Sequence, residues 1–136
     1  MTLDPGTVAY WRDFEPGHNK FIYILGVSGD EVFSFTISSQ AKYLLLESTR
    51  NQMVEIPHRS TDFLDRPSWI QCFYEVTRTS IAAFRALEAS GAIMWRAYMP
   101  AFIPTIAKIV YHSQLLPQED VEAIGALVGI PMVQRR

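Results

Sequence analysis

Little in this 136-residue chain points to a metal, a cofactor or a membrane. One cysteine, Cys72, stands in the whole sequence, which excludes an internal disulfide and any cysteine-rich metal site. The three histidines, His18, His58 and His112, are widely separated and lack the short spacings that bring two ligands to one ion. No metal and no cofactor is therefore expected. Long hydrophobic runs are also missing. The stretch from Ala101 to Val110 is broken by Pro104 and Lys108, well short of the roughly 20 apolar residues that a membrane-spanning helix needs. Asp4, Pro5, Arg12 and Asp13 stand where a signal peptide would need an apolar core, so a soluble cytoplasmic protein with no membrane partner is expected. Strong charge of one sign is lacking too, with a formal net charge of −2. Nucleic-acid contact would have to come from a local cationic patch, because counterion release needs clustered Lys and Arg.

The apolar fraction is 49%, enough for a proper core, and the length suits one domain over residues 1–136. The first half reads as strands. Thr7–Phe14 mixes β-branched and aromatic residues, and the turn Glu15-Pro16-Gly17-His18-Asn19 leads into Lys20–Val27, which is apolar on both faces. Ser28-Gly29-Asp30 joins that strand tightly to Glu31–Ser38, so the two should be antiparallel neighbours. Tyr43–Leu46 fits either a helical turn or an extended piece. Gln52–Ile56 reads as a short strand, His58–Pro67 as a polar loop anchored by Phe63 and Leu64, and Trp69–Val76 as the last strand.

The period then changes. Ser80–Ala89 spaces Ile81, Phe84 and Leu87 as on one helix face, with Thr79 or Ser80 as cap and Gly91 as stop. Pro100–His112 gives a second helix. A third opens at Pro117 with Glu119 and Asp120 in its first turn, where the helix dipole favours negative charge. The expected architecture is mainly β with C-terminal helices: a bent five-stranded antiparallel sheet or barrel over residues 5–78, and a helical part over 79–129 packed on one side. Strands apolar on both faces need two covers. One is a barrel interior; the other is a helix or a second subunit.

Four segments carry chemistry in a particular order. They are the opening strand Gly6-Thr7-Val8-Ala9-Tyr10-Trp11, the cationic start of Lys20-Phe21-Ile22-Tyr23-Ile24-Leu25, the hydroxyl and amide run Thr36-Ile37-Ser38-Ser39-Gln40, and Arg66-Pro67-Ser68-Trp69. This order over about residues 5–80 resembles the PemK/MazF-like toxin family of toxin–antitoxin modules. The resemblance implies an SH3-like barrel, a homodimer, a cognate antitoxin as protein partner and single-stranded RNA as substrate. The implied reaction is metal-independent endoribonuclease cleavage, in which a ribose 2′-hydroxyl attacks its own phosphate. Lys20, Ser38 and Ser68 would then be catalytic, with His18, Ser39 and Gln40 binding substrate.

Lys20 stands where the family has Arg, and the two differ: Arg offers phosphate a planar bidentate grip, Lys a mobile point charge. Two readings follow. In one, Lys20 and His18 together supply what the Arg would. In the other, the chain is a non-catalytic SH3-like barrel that binds a protein, using its apolar second half as the contact surface. Trp95, Tyr98, Met99 and Phe102, if exposed, would mark a dimer face or an antitoxin groove. A plainer role exists for each residue as well. Strand-end serines often bond their own backbone, and Ser68 after Pro67 suits a strand cap. His58 and His112 suit structural roles, and Cys72 suits a buried small hydrophobe.

Overall fold

The structure, a computed structural model, describes residues 1–40, 50–57, 59, 61–72 and 76–129. Tyr43–Leu46, His58 and the middle of the expected strand Trp69–Val76 lie outside these residues.

Seven strands form one antiparallel sheet: β1 (Thr7–Glu15), β2 (His18–Ser28), β3 (Glu31–Ser38), β4 (Met53–Ile56), β5 (Ser68–Gln71), β6 (Thr77–Ser80) and β7 (Ile93–Tyr98). The helices are α1 (Ile81–Ala89), α2 (Ile103–Tyr111) and α3 (Gln118–Leu127). Strand order is β4-β5-β3-β2-β1-β7, with β6 alongside β3. The result is a β+α fold. The ends of the sheet are β4 and β7, and among the described residues no ladder joins them.

The long hairpins follow the sequence reading. Gly29, at φ 63°, makes the tight connection between β2 and β3, a conformation that costs glycine no Cβ clash. The β1–β2 hairpin ends in a register shift between Trp11 and Glu15, where Asp13 takes a left-handed φ of 57° and donates its amide to Asn19 Oδ1. The expected last strand is instead two pieces. β5 pairs with β3 at Ile37 and Ser38, while β6 pairs with Glu31–Ser34 along the same edge. The chain between Ser68 and Ser80 holds more residues than β3 can match, so one ladder becomes two.

The helical part also contains a strand. β7 follows α1 and pairs with β1 from Thr7↔Tyr98 to Trp11↔Ile93. Residues 79–129 are therefore not helical throughout: β7 belongs to the sheet. Its alternation is masked by a register shift opposite Val8 and Ala9, which lets Met94, Trp95 and Arg96 all stand exposed. Gly6 holds the far end of this pairing. It donates to Ile24 O, accepts from Met99 N, and leaves no room for a Cβ, which would sit 2.7 Å from Pro100 Cα.

Helices cover both faces, not one. Ile106 and Val110 of α2, with Val121 and Ile124 of α3, pack on Val8, Tyr23, Leu25, Phe33 and Phe35. On the opposite face Phe84 of α1 closes over Ala9, Ile22, Ile24, Val32 and Ile93. Burial of Phe84 contributes about 1.5–3 kcal/mol. Ser80 Oγ caps α1 by accepting from Ala83 N, as its position before the apolar spacing suggested. The second face of the strands is thus covered from within the chain. No helix among the described residues is long and apolar enough to cross a membrane.

Candidate active site at the strand ends

The sheet's hydrogen-bond register sets up the site. Phe21, Ile37, Ile70 and Val54 lie abreast across β2, β3, β5 and β4. One residue further toward the strand ends, Ser38 pairs with Trp69, and Lys20 precedes Phe21 on β2. Side chains alternate between faces along a strand. Lys20 and Ser38 therefore share the face opposite Phe21 and Ile37. Ser68 pairs with Ile56, a core residue, and so belongs with the Phe21–Ile37 face.

These rows open into a cavity of about 210 Å³. Its walls include Lys20, Ser38, Ser39, Gln40, Arg66 and Ser68, with Phe63 and Leu64 from the loop before β5. Five of the six residues singled out from sequence thus line one space, brought there from both faces of the sheet. His18 is the sixth and does not line it. It lies exposed at the hairpin tip, paired with Glu15, one pleat beyond Lys20. Asp13 and Glu15 lie outside the cavity walls as well.

The two hydroxyls differ in what they have left to offer. Ser38 is nearly buried, and its Oγ accepts from Gln40 N at 3.1 Å. Among the described residues its proton goes to no acceptor, so Ser38 can donate to an oxygen in the cavity. Ser68 is buried, and its Oγ donates to Arg66 O at 3.2 Å. That bond commits the Ser68 proton to the backbone and steadies the turn that carries Arg66. Ser68 still lines the cavity, with its hydroxyl turned toward Arg66 O in this geometry.

Sequence reasoning missed Arg66 as a site residue. Among the described residues its guanidinium meets only Asp65 Oδ1, at 3.2 Å, with both side chains mostly in solvent, a pairing of little strength. Lys20 forms no ion pair among the described residues. The signal for Arg66 lay in its adjacency to Pro67-Ser68, but only the loop's folding brings it over the strand ends. That folding rests on Phe63, whose ring packs 5.3 Å from Phe21. The cavity walls thus carry two cations, Lys20 and Arg66, the hydroxyls of Ser38 and Ser39, and one carboxylate, Asp65. This set suits an anion carrying several acceptor oxygens, such as a phosphate.

The strongest pKa shifts lie elsewhere. Burial pushes the Cys72 thiol and the Tyr23 phenol far up; Tyr23 donates its hydroxyl to Met99 O at 2.6 Å. Both are core groups, and Cys72 is the inert buried thiol expected. Among the described residues no cluster of His, Cys, Asp or Glu could hold a metal ion. No family model matches the chain, and no curated protein or solved structure matches it either.

Proposed function

We propose that this protein is a toxin-type endoribonuclease that cleaves single-stranded RNA at the cavity between Lys20, Ser38 and Arg66. The observation that carries this reading is the meeting of separate chain segments, β2, the end of β3 and the loop before β5, around one cationic space. On this reading the open sheet is a variant of the SH3-like barrel of the PemK/MazF kind, and Arg66 takes up, from another segment, the bidentate role that Lys20 cannot fill.

The reaction is an internal transfer. The ribose 2′-oxygen forms a bond to phosphorus as the bond to the 5′-oxygen breaks, leaving a 2′,3′-cyclic phosphate and a 5′-hydroxyl. Asp65, the carboxylate on the cavity wall, takes the 2′-hydroxyl proton. The Lys20 ammonium returns a proton to the departing 5′-oxygen. Arg66 and the Ser38 hydroxyl hold the non-bridging oxygens as negative charge builds on them. No step requires a metal. The proposal includes a cytoplasmic location, a homodimer and a cognate antitoxin that silences the site.

The test is incubation of purified protein with mixed single-stranded RNA in excess chelator, followed by end analysis. Fragments with cyclic-phosphate and 5′-hydroxyl ends are expected. RNA left intact at high protein concentration would reject cleavage. It would favour a second reading, a non-catalytic protein-binding module, for which the exposed β7 residues Trp95 and Tyr98 speak.

A further inference from the structure

A second cavity, of about 630 Å³, lies between the loop before β5 and the end of β7. Arg59, Asp62, Phe63, Tyr98 and Met99 line it. Phe63 lines both cavities, so the two are neighbours across one aromatic ring. The volume falls in the range of about 300–1,000 Å³ usual for small-molecule sites, whereas the first cavity is smaller. Tyr98 is 57% exposed at the end of an edge strand, a large aromatic that the core does not use. Neither Asp62 nor Arg59 forms an ion pair among the described residues. Behind Phe63 runs a row of rings: Phe21 at 5.3 Å, then Tyr10 at 5.0 Å from Phe21, with the Arg96 guanidinium over Tyr10 at 5.6 Å. This row backs the Phe63 ring and holds it in place.

We propose that this second cavity is a recognition subsite for an unpaired guanine next to the phosphate held at the first, an inference that rests on the RNA reading of that first site. Aromatic faces such as Tyr98 and Phe63 take bases by stacking, which tolerates any base. Selection comes from Asp62. An ionised carboxylate only accepts hydrogen bonds, and it can accept two at once. The Watson–Crick edge of guanine presents two adjacent donors, N1–H and the N2 amino group; adenine, cytosine and uracil each present one such donor position. Arg59 at the rim meets the phosphate on the far side of that nucleotide.

The experiment uses oligouridylates of about five nucleotides lacking every 2′-hydroxyl, so that the attacking group is absent and binding is read without cleavage. Each carries one guanine, one adenine or no replacement, and fluorescence anisotropy reports affinity. The guanine oligonucleotide should bind about tenfold tighter than the others, the low end for a bidentate base contact. Asp62→Asn should remove that preference. Tyr98→Ala should weaken all three about equally, and Lys20→Ala should weaken all three while keeping the preference. Both cavity residues are exposed, and unchanged thermal unfolding of the variants will show that the fold is kept. Equal binding of guanine and adenine, absence of any binding, or a preference that survives Asp62→Asn overturns the subsite. Cleavage of RNA without guanine preference sinks the subsite alone. Guanine preference without cleavage of ordinary RNA sinks the nuclease reading and leaves the subsite standing.

Discussion

β3 carries charge chemistry at both ends, and the two ends are opposites. At its start Glu31 meets Arg78 of β6 at 2.6 Å, and the same guanidinium reaches Glu119 and Asp120 of α3 at 3.1 and 3.3 Å. Three carboxylates surround one cation. Hydrogen bonds to Glu31 and Glu119 push the Arg78 pKa further up. Arg78 also lies over the Phe33 ring at 5.0 Å. At the other end Ser38 adjoins Lys20, for which no carboxylate among the described residues is a partner. A cation already answered by its own fold joins β3, β6 and α3 together; a cation left unanswered beside an open cavity is available to a ligand. The difference separates charge used within the fold from charge left open to a ligand, without reference to residue type.

Exchanging the two ends gives the largest expected effect. Lys20→Ala should lower RNA cleavage about 10²-fold or more, the scale of losing one group that stabilises developing charge, and leave thermal unfolding unchanged. Arg78→Ala should do the reverse, keeping cleavage and lowering the unfolding temperature. If Lys20→Ala cleaves normally, the contrast between the ends has no functional meaning. A smaller effect separates the two serines. Ser38→Ala, which removes a free donor, should cost about tenfold in cleavage, and Ser68→Ala less, because Ser68 acts through the Arg66 turn. The reverse ranking would put Ser68 ahead of Ser38 on the phosphate.

Salt sharpens the comparison further. With Lys20 and Arg66 both on phosphate, the logarithm of RNA affinity should fall with the logarithm of salt at a slope of about −1.4 from these two contacts. Arg66→Ala should flatten that slope by roughly half, whereas Arg78→Ala should leave it alone. The smallest effect concerns a third charge cluster, on α1. The Met1 ammonium, at 2.9 Å, and then Arg85, at 2.7 Å, hold the Glu88 carboxyl below its ordinary pKa. A carboxylate depressed in the folded state stabilises above its unfolded pKa and loses that contribution as pH falls through the folded value. Glu88→Gln should therefore be slightly less stable near neutral pH, with the gap closing below about pH 4. A gap that stays constant through acid titration would remove Glu88 from the charged network.

Much of the fold could be read from local pattern because local causes produce it. The β2–β3 hairpin follows from Gly29 between two apolar runs, and α1 begins where Ser80 precedes a helical spacing. The cavity was partly legible for the same reason: Lys20 begins one strand and Ser38 ends its neighbour. β7 was not legible. A bulge hides its alternation, and it adds to the sheet only because β1 offers an edge far away in sequence. The need for two covers was legible, but which helix meets which face was not, since α1 and the α2–α3 pair have similar apolar stripes and nothing local assigns them.

What the residue order decided was the first strands with their polar ends and the helices with one apolar side, since caps, turns and alternation act within a few residues. Which ends meet was decided in three dimensions. The packing of Phe63 on Phe21 draws Arg66 over the strand ends, and the pleat sends Lys20 and Ser38 to one face and Ser68 to the other. The reason is physical: hydrogen bonds and alternation are short-ranged, whereas the partner of an apolar ring is chosen by all the surface that the folded chain must hide from water.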